Sequence, residues 1–131
     1  MKINQLWLLV ILSLMGGYAY AQDSSEAAKI RYLIGSVEAL PGVKFLRNGV
    51  EYDAKKAADH LRLKLRTAGD HVKTAEDFIR LCGSKSSVSG KAYRMRFPDG
   101  SSMDAEKFFH ERLKAFVAET TSRSRKQDRS E

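Results

Sequence analysis

The chain has 131 residues and a formal net charge of +7 at pH 7, with 30% charged and 43% hydrophobic residues. This length allows one domain that buries roughly 65% of the surface of its unfolded chain. A single cysteine, Cys82, excludes an internal disulfide, so the fold must depend on its apolar core. The positive charge favours attraction to anionic partners but does not decide the fold.

The first 21 residues have the pattern of a secretory signal peptide. Lys2 precedes an apolar run over residues 6–15, and Ala19-Tyr20-Ala21 supplies the small residues that a signal peptidase reads. The run is too short to span a bilayer, which takes about 20 residues. We therefore expect export, cleavage after Ala21 and no transmembrane segment in the mature chain, which keeps a net charge of +6 once Lys2 is removed.

A helix and a hairpin are predicted to open the mature chain. Ser24 or Ser25 can cap a first helix whose apolar residues are spaced by three and four, and Pro41-Gly42 ends it. The segment VKFLRNGVEY follows at residues 43–52. Its Asn48-Gly49 pair can adopt positive φ at both central positions, which predicts a hairpin with a two-residue turn.

The next segment is predicted to be a second helix, capped by Asp53 and ended by Gly69. The strict alternation of HLRLKLR favours a strand over residues 60–66, whereas the Ala- and Lys-rich start and the cap favour a helix. On a helix, Leu61 and Leu63 point to different sides. We therefore expect a helix that is sandwiched between neighbours or partly buried.

The second half repeats this order of elements. Residues 74–77 resemble a capping box, and a short third helix runs from them to Gly83. A serine-rich loop leads to the strand AYRMRF at residues 92–97, a turn and a short return strand near Met103. Asp104 is predicted to cap the last helix, which has an aromatic core face.

The order helix, hairpin, helix, helix, hairpin, helix predicts a single α+β domain over residues 22–119. Residues 120–131 are polar and charged without an apolar anchor, which predicts a disordered basic tail. Gly49 and Asp53 correspond to Gly100 and Asp104 at a constant offset, which allows an internal duplication. Alternatively, hairpin turns and helix caps recruit the same residue types in both halves.

The loop SKSSVSGKAYRMR, residues 84–96, raises the question of a phosphate site or a catalytic serine. A P-loop is excluded, because Lys85 stands where that motif needs a glycine and Ala92 where it needs a hydroxyl. A nucleophilic serine needs a base within hydrogen-bond reach, and no sequence pattern brings one there. The simplest interpretation is a structural loop whose hydroxyls bond local backbone groups.

A second interpretation of this loop is an anion site. Exposed amides and hydroxyls can hold a carboxylate or phosphate, helped by outward-facing cations, while Tyr93, Met95 and Phe97 face the core. The same cations are equally typical of a solvated sheet face. They are Lys85, Lys91, Arg94 and Arg96.

Other kinds of site have less support in the sequence. The three histidines lie far apart and form no two-ligand motif, so no metal or cofactor is predicted. The basic stripe on the second helix is interrupted by Asp59, and the aromatic residues lie at core spacing, so nucleic acid is not expected as a partner. Cys82 is interpreted as a small buried hydrophobic residue, with an intermolecular bridge or a reactive thiol as the alternatives.

Four motifs, FLRNG at 45–49, HLRLKL at 60–65, TAEDFI at 74–79 and SSVSGKAY at 86–93, together resemble the YfeK-like family of small exported bacterial proteins. The similarity extends over most of residues 26–117. The family is a domain of unknown function, so the resemblance implies a periplasmic protein but no reaction and no established site. Several residues lie in these motifs without an obvious folding role: Arg47, His60, Arg62, Lys64, Ser86, Ser87 and Lys91.

The sequence leaves three functions open. The leading hypothesis is a non-catalytic binding module for an anionic envelope component or an acidic protein partner. An alternative is a serine hydrolase that uses Ser86 or Ser87 with His60. Another is a protein–protein adaptor with Leu63 on its apolar surface. The binding module would use Arg62, Lys64, Lys85, Lys91, Arg94 and Arg96.

Overall fold

The computed structural model of the protein describes residues 25–130, so the predicted signal peptide and Ser24 lie outside the described part. Within it, four α-helices and two hairpins occur in the predicted order, and the α+β class is confirmed. The elements are α1 (25–38), β1 (Lys44–Arg47), β2 (Val50–Tyr52), α2 (Ala54–Ala68), α3 (Ala75–Phe78) with a π-helical turn (Ile79–Gly83), β3 (Arg94–Arg96), β4 (Ser102–Asp104) and α4 (Ala105–Asp128).

The two hairpins join into one antiparallel sheet with strand order β2-β1-β3-β4. Phe45 on β1 lies opposite Met95 on β3, and Met95 is fully buried. Because successive residues of a strand face opposite sides, Arg47 shares the inner face with Phe45. Arg94 and Arg96 flank Met95 and therefore face the other side of the sheet.

Local signals in the first half form the structures that the sequence predicted. Asn48 and Gly49 have φ values of 51° and 78°, so the two-residue turn is confirmed. The carboxylate of Asp53 accepts a hydrogen bond from the Lys56 N–H at 2.8 Å at the start of α2. Gly69 ends the helix in the left-handed region, with φ of 52°.

The predicted cap in the second half is confirmed for α3, whereas the predicted capping bond of α4 is wrong. The Thr74 hydroxyl accepts from the Asp77 N–H, and the Asp77 carboxylate accepts from the Thr74 N–H, both at 3.1 Å. Asp104 does stand at the start of α4, but its side chain makes no capping hydrogen bond. It accepts from Arg94 at 2.6 Å instead, because the sheet places that guanidinium beside it.

The core lies between the inner face of the sheet and the helices. The ring of Phe109 packs edge-on against Phe78 and directly against Gly83, where an added Cβ would approach two ring carbons to 2.8 Å. Cys82 is fully buried, as predicted, and burial raises the pKa of its thiol. The turn that holds Cys82 and Gly83 is thus fixed by tight packing.

Helix α2 is partly buried. Ala58 and Leu61 lie in the core, whereas Leu63 is 52% exposed on the other side. The alternating stretch is therefore helical, and its second apolar side faces solvent.

Helix α4 continues to Asp128, where the sequence predicted a disordered tail. Residues 118–128 are all exposed, so the helix extends without burying further side chains. Once a helix is nucleated, each further residue adds a backbone hydrogen bond at small entropic cost, so propagation needs no apolar anchor. No helix in residues 25–130 combines the length and apolar character needed to cross a membrane.

Candidate anion-binding site

Four side chains from three elements meet beside the inner face of the sheet: Arg47, His60, Lys64 and Tyr93. We call them the cationic cluster. Arg47 ends β1, and His60 and Lys64 lie one turn apart on α2, so that they share a helix face. Tyr93 immediately precedes β3. Its N–H donates to the Ser84 carbonyl at 3.0 Å, and its own carbonyl accepts from the Ala105 N–H at 2.9 Å, so its backbone is fixed.

Hydrogen bonds connect the members of the cationic cluster in a chain. Arg47 Nη1 lies 3.5 Å from His60 Nδ1, and His60 Nε2 lies 3.3 Å from the Tyr93 hydroxyl oxygen. Lys64 Nζ donates to the same oxygen at 3.1 Å and to the Lys85 carbonyl at 2.9 Å. Tyr93 is only 9% exposed, so this chain forms at the edge of the core.

The chemistry of these groups assigns the protons. A guanidinium can only donate, so His60 Nδ1 accepts from Arg47 and the imidazole hydrogen is on Nε2. His60 Nε2 and Lys64 Nζ then both donate to the Tyr93 oxygen. The hydroxyl hydrogen of Tyr93 has no acceptor among residues 25–130 and can be donated to a ligand.

The cationic cluster also lacks acidic partners. Within the described part of the chain, neither Arg47 nor Lys64 forms a salt bridge. The Nε of Arg47 is buried there without any hydrogen-bond partner. An unsatisfied buried donor costs free energy, and a donor on a charged group costs more. Within the described residues, Arg47 therefore lacks both a hydrogen bond at Nε and a carboxylate partner.

The electrostatics keep His60 neutral. Burial, followed by the charges of Arg47 and Lys64, lowers the pKa of the His60 imidazole below its ordinary value of 6.5. Neutral His60 can accept from Arg47, whereas a protonated ring would offer a second donor to it. An anion bound beside His60 would oppose the decrease in its pKa, because the anion would neutralise the nearby positive charge.

Arg47, His60 and Tyr93 form a wall between two cavities. One, the apolar cavity, has a volume of about 300 Å³ and is lined mainly by Phe45, Tyr52, Ala57, Leu61 and Phe109. The other, the basic cleft, has a volume of about 410 Å³ and is lined by Lys64 and by Leu63, Ser87 and Val88. A ligand in either cavity can therefore contact Arg47, His60 and Tyr93.

The serine loop borders the site but mainly has a structural role. Ser86 is 2% exposed, and its hydroxyl oxygen lies 3.2 Å from the Val88 N–H, 3.3 Å from the Ser89 N–H and 3.2 Å from Asn48 Nδ2. These bonds hold the loop against the hairpin turn. Ser87 is exposed and lines the basic cleft. No hydrogen bond links Ser86 or Ser87 to His60 among the described residues.

The other basic residues proposed from the sequence lie elsewhere. Arg62 binds Glu38 and Asp59 on the exposed side of α2. Lys85 contributes its carbonyl, not its ammonium, to the cationic cluster, and the side chain of Lys91 is exposed outside it.

On the outer face of the sheet, Arg94 binds Asp104 and Arg96 binds Glu51. The structure thus brings together three of the predicted residues, Arg47, His60 and Lys64, with Ser87 at the rim.

Sequence reasoning missed one member of the cationic cluster. Tyr93 was assigned to the core from strand alternation, and it is buried. A buried tyrosine nevertheless needs a partner for its hydroxyl. That requirement is the signal that could have placed Tyr93 beside a polar site.

The fold is a small α+β domain, and its cationic cluster is a candidate ligand site without carboxylate partners among the described residues. The chain belongs to a family of unknown function, DUF5329, whose model matches residues 24–117. It is similar to the uncharacterized protein YfeK of Salmonella typhimurium, with 35% identity over 71 residues. That match covers 54% of this chain and 59% of the relative, and it confirms the YfeK-like resemblance. No solved structure matches the chain.

Proposed function

We propose that the protein is an exported, periplasmic binding module that holds an anionic component of the cell envelope at the cationic cluster without catalysing a reaction. The observation that carries this proposal is the surplus of donors. Arg47, Lys64 and Tyr93 lie in one hydrogen-bonded chain through His60, and no carboxylate among the described residues accepts from them. A carboxylate or phosphate on a ligand would supply the missing acceptor.

Each member of the cationic cluster has a distinct part in the proposed contact. Arg47 offers a planar fork of N–H groups that matches the two oxygens of a carboxylate or phosphate. Lys64 supplies a mobile point charge, and Tyr93 orients it through the shared hydroxyl. His60 positions Arg47 by accepting its hydrogen bond in the neutral form. None of these contacts requires a covalent step.

The N-terminal pattern supports the exported part of the proposal. Lys2, the apolar run and Ala19-Tyr20-Ala21 are what the export machinery and signal peptidase recognise. When the full chain is expressed in a bacterium, the purified protein should begin at Gln22. A chain that keeps residues 1–21 in the bacterial cytoplasm would contradict export and leave the anion site to be tested separately.

Titration with inorganic phosphate, followed by nuclear magnetic resonance of the His60 and Tyr93 rings, tests the binding part. We expect both ring signals to shift saturably, and the affinity to fall steeply as sodium chloride is added, because salt screens charge contacts. A charge-assisted hydrogen bond contributes about 1.5–3 kcal/mol. Arg47→Met should therefore weaken phosphate binding by about 10- to 100-fold.

Arg96→Met is the matched control, since it removes the same charge from the outer face of the sheet. Its phosphate affinity should stay within about threefold of the unchanged protein, a difference under 1 kcal/mol. A phosphate affinity that is equally reduced in both variants, or unaffected by Arg47→Met in a folded protein, would overturn the proposed site. Unfolding by urea verifies that both variants are folded.

The two other functions predicted from the sequence have less support. A serine hydrolase needs a base on its nucleophile, whereas the Ser86 oxygen is held by three N–H groups and His60 is bound to Arg47 and Tyr93. Labelling by a serine-reactive phosphonate that disappears in Ser87→Ala would favour the hydrolase. The adaptor has one favourable observation, the exposed Leu63 beside the basic cleft.

A further inference from the structure

We infer that the ligand is amphipathic, a single-chain carboxylate whose apolar chain fills the apolar cavity while its carboxylate accepts hydrogen bonds from Arg47 and the Tyr93 hydroxyl. This inference rests on the proposed function and names its ligand class. It comes from the position of the cationic cluster in the wall of an otherwise apolar cavity. Such an arrangement is what an ionised head on an apolar chain requires.

The lining of the apolar cavity supports an apolar chain as one part of the ligand. Aromatic and aliphatic side chains from β1, β2, α2 and α4 supply most of the lining, among them Phe45, Leu61 and Phe109. Besides Arg47, two charged residues lie at the cavity: Lys56, which is exposed, and Asp59. The Asp59 carboxylate accepts from Lys55 and Arg62 at 3.1 Å each, so its charge is compensated on the outer side of α2.

Small residues keep this space open. Ala57 and Ala105 line the cavity with methyl groups, and Gly83 lines it with no side chain. An added Cβ at Gly83 would collide with the Phe109 ring, so the chain approaches that ring as closely as backbone allows. Larger side chains at Ala57 and Ala105 would fill the volume that the ligand chain would occupy.

The cavity volume limits the length of the chain. At about 30 Å³ for each water-sized group, a volume of about 300 Å³ accommodates roughly ten non-hydrogen atoms. A two-chain phospholipid would exceed this volume. A medium-length single chain fits it, with the carboxylate reaching the wall that Arg47 and His60 form.

A homologous series of fatty acids tests this inference by isothermal titration calorimetry below the micelle concentration. Acetate, hexanoate, octanoate, decanoate and tetradecanoate share the same head. Each buried methylene contributes about 0.8 kcal/mol, so affinity should rise by at most about fourfold per carbon and level off near ten carbons. Decanol, which lacks the charge, should bind at least about tenfold more weakly than decanoate, a difference of 1.4 kcal/mol.

Ala57→Leu tests the location of the apolar chain, with Ala118→Leu on the exposed part of α4 as the matched control. Ala57→Leu should weaken decanoate binding about tenfold or more and leave phosphate affinity within about threefold. Retained phosphate binding also shows that the variant is folded. The control should bind both probes like the unchanged protein.

The outcomes separate the two proposals. Decanoate that binds no more tightly than acetate, or equally well to Ala57→Leu, overturns the amphipathic ligand and leaves the anion site standing. Decanol that binds as tightly as decanoate overturns the role of Arg47 and Tyr93 in binding the carboxylate. Phosphate binding that is independent of Arg47 overturns the proposed function itself. The length series needs no variant, so it decides the point even if Ala57→Leu fails to fold.

Discussion

The arginines on the two faces of the sheet have different partners. On the outer face, Arg94 binds Asp104 on the neighbouring strand β4, and Arg96 binds Glu51 on β2, which lies beyond β1. On the inner face, Arg47 lies against His60, and its Nε is buried without a partner within residues 25–130. Arginines one strand apart therefore differ in whether their charge is already compensated.

This difference shows that basic content alone does not locate an anion site. The strand AYRMRF was one candidate in the sequence, because its two outward arginines are compatible with binding a carboxylate or phosphate. Its carboxylate partners come from other strands, and an arginine that is already paired has little attraction left for a ligand. The single arginine that enters the inner face keeps its donors free of acidic partners.

The largest expected effect comes from placing a carboxylate inside the cationic cluster. Lys64→Glu removes one donor and would supply Arg47 and Tyr93 with the acceptor that a ligand would otherwise provide. We expect phosphate affinity to fall about 100-fold, near the upper end of one charge-assisted hydrogen bond. A phosphate titration that monitors the ring signals of Tyr93 measures this loss of affinity.

Lys91→Glu makes the same charge change on the exposed part of the serine loop, outside the cationic cluster. Its phosphate affinity should stay within about threefold of the unchanged protein. If both glutamates weakened phosphate binding equally, net charge rather than the site would explain the attraction, and the contrast between the two faces would lose its meaning.

A second, smaller effect concerns the pH dependence of stability. Burial, followed by the charges of Arg47 and Lys64, lowers the pKa of His60 in the folded protein. Below the ordinary pKa of about 6.5, the unfolded chain binds the proton more readily than the folded protein. The free energy of unfolding should therefore decrease as pH falls below 6.5, until the folded-state pKa is reached.

His60→Asn removes this titration, so its free energy of unfolding should change less between pH 7 and pH 5. Urea unfolding of both proteins at several pH values measures the difference. The pKa values of Glu26, Asp77 and Asp99 are lowered by hydrogen bonds, so their contributions are lost at lower pH and are the same in both proteins. Parallel stability curves would show that His60 is not held neutral.

The smallest effect should come from the outer face. Arg96→Met breaks a half-exposed salt bridge to Glu51, and such pairs contribute about 0–1 kcal/mol. Urea unfolding should show a change in the free energy of unfolding within that range. A loss of more than about 2 kcal/mol would mean that the outer salt bridges stabilise the fold far beyond the usual value for exposed pairs.

Much of the local structure was predictable, because it depends on neighbouring residues. Asn48-Gly49 turns the first hairpin through positive φ values that these two residues adopt easily. Asp53 and the Thr74–Asp77 pair cap their helices through hydrogen bonds that span three residues. Asp104 shows the limit of this reasoning, since a distant Arg94 competes successfully for its carboxylate.

The candidate site was only partly predictable. Arg47, His60 and Lys64 were candidates because they lie in the family-like motifs without a folding role. Alternation along β1 already places Arg47 on the same face as Phe45. Nothing in the spacing of residues indicated that α2 packs over that end of β1, or that the Tyr93 hydroxyl lies between His60 and Lys64.

The sequence by itself determined the turns, most of the helix limits and the α+β class, because these follow from backbone preferences and hydrogen bonds between residues a few positions apart. Tertiary structure alone decided which cations meet a carboxylate and which do not. Packing of α2 and β3 against β1 brings Arg47, His60, Lys64 and Tyr93 together from positions up to 46 residues apart, and charge compensation depends on such distances in space.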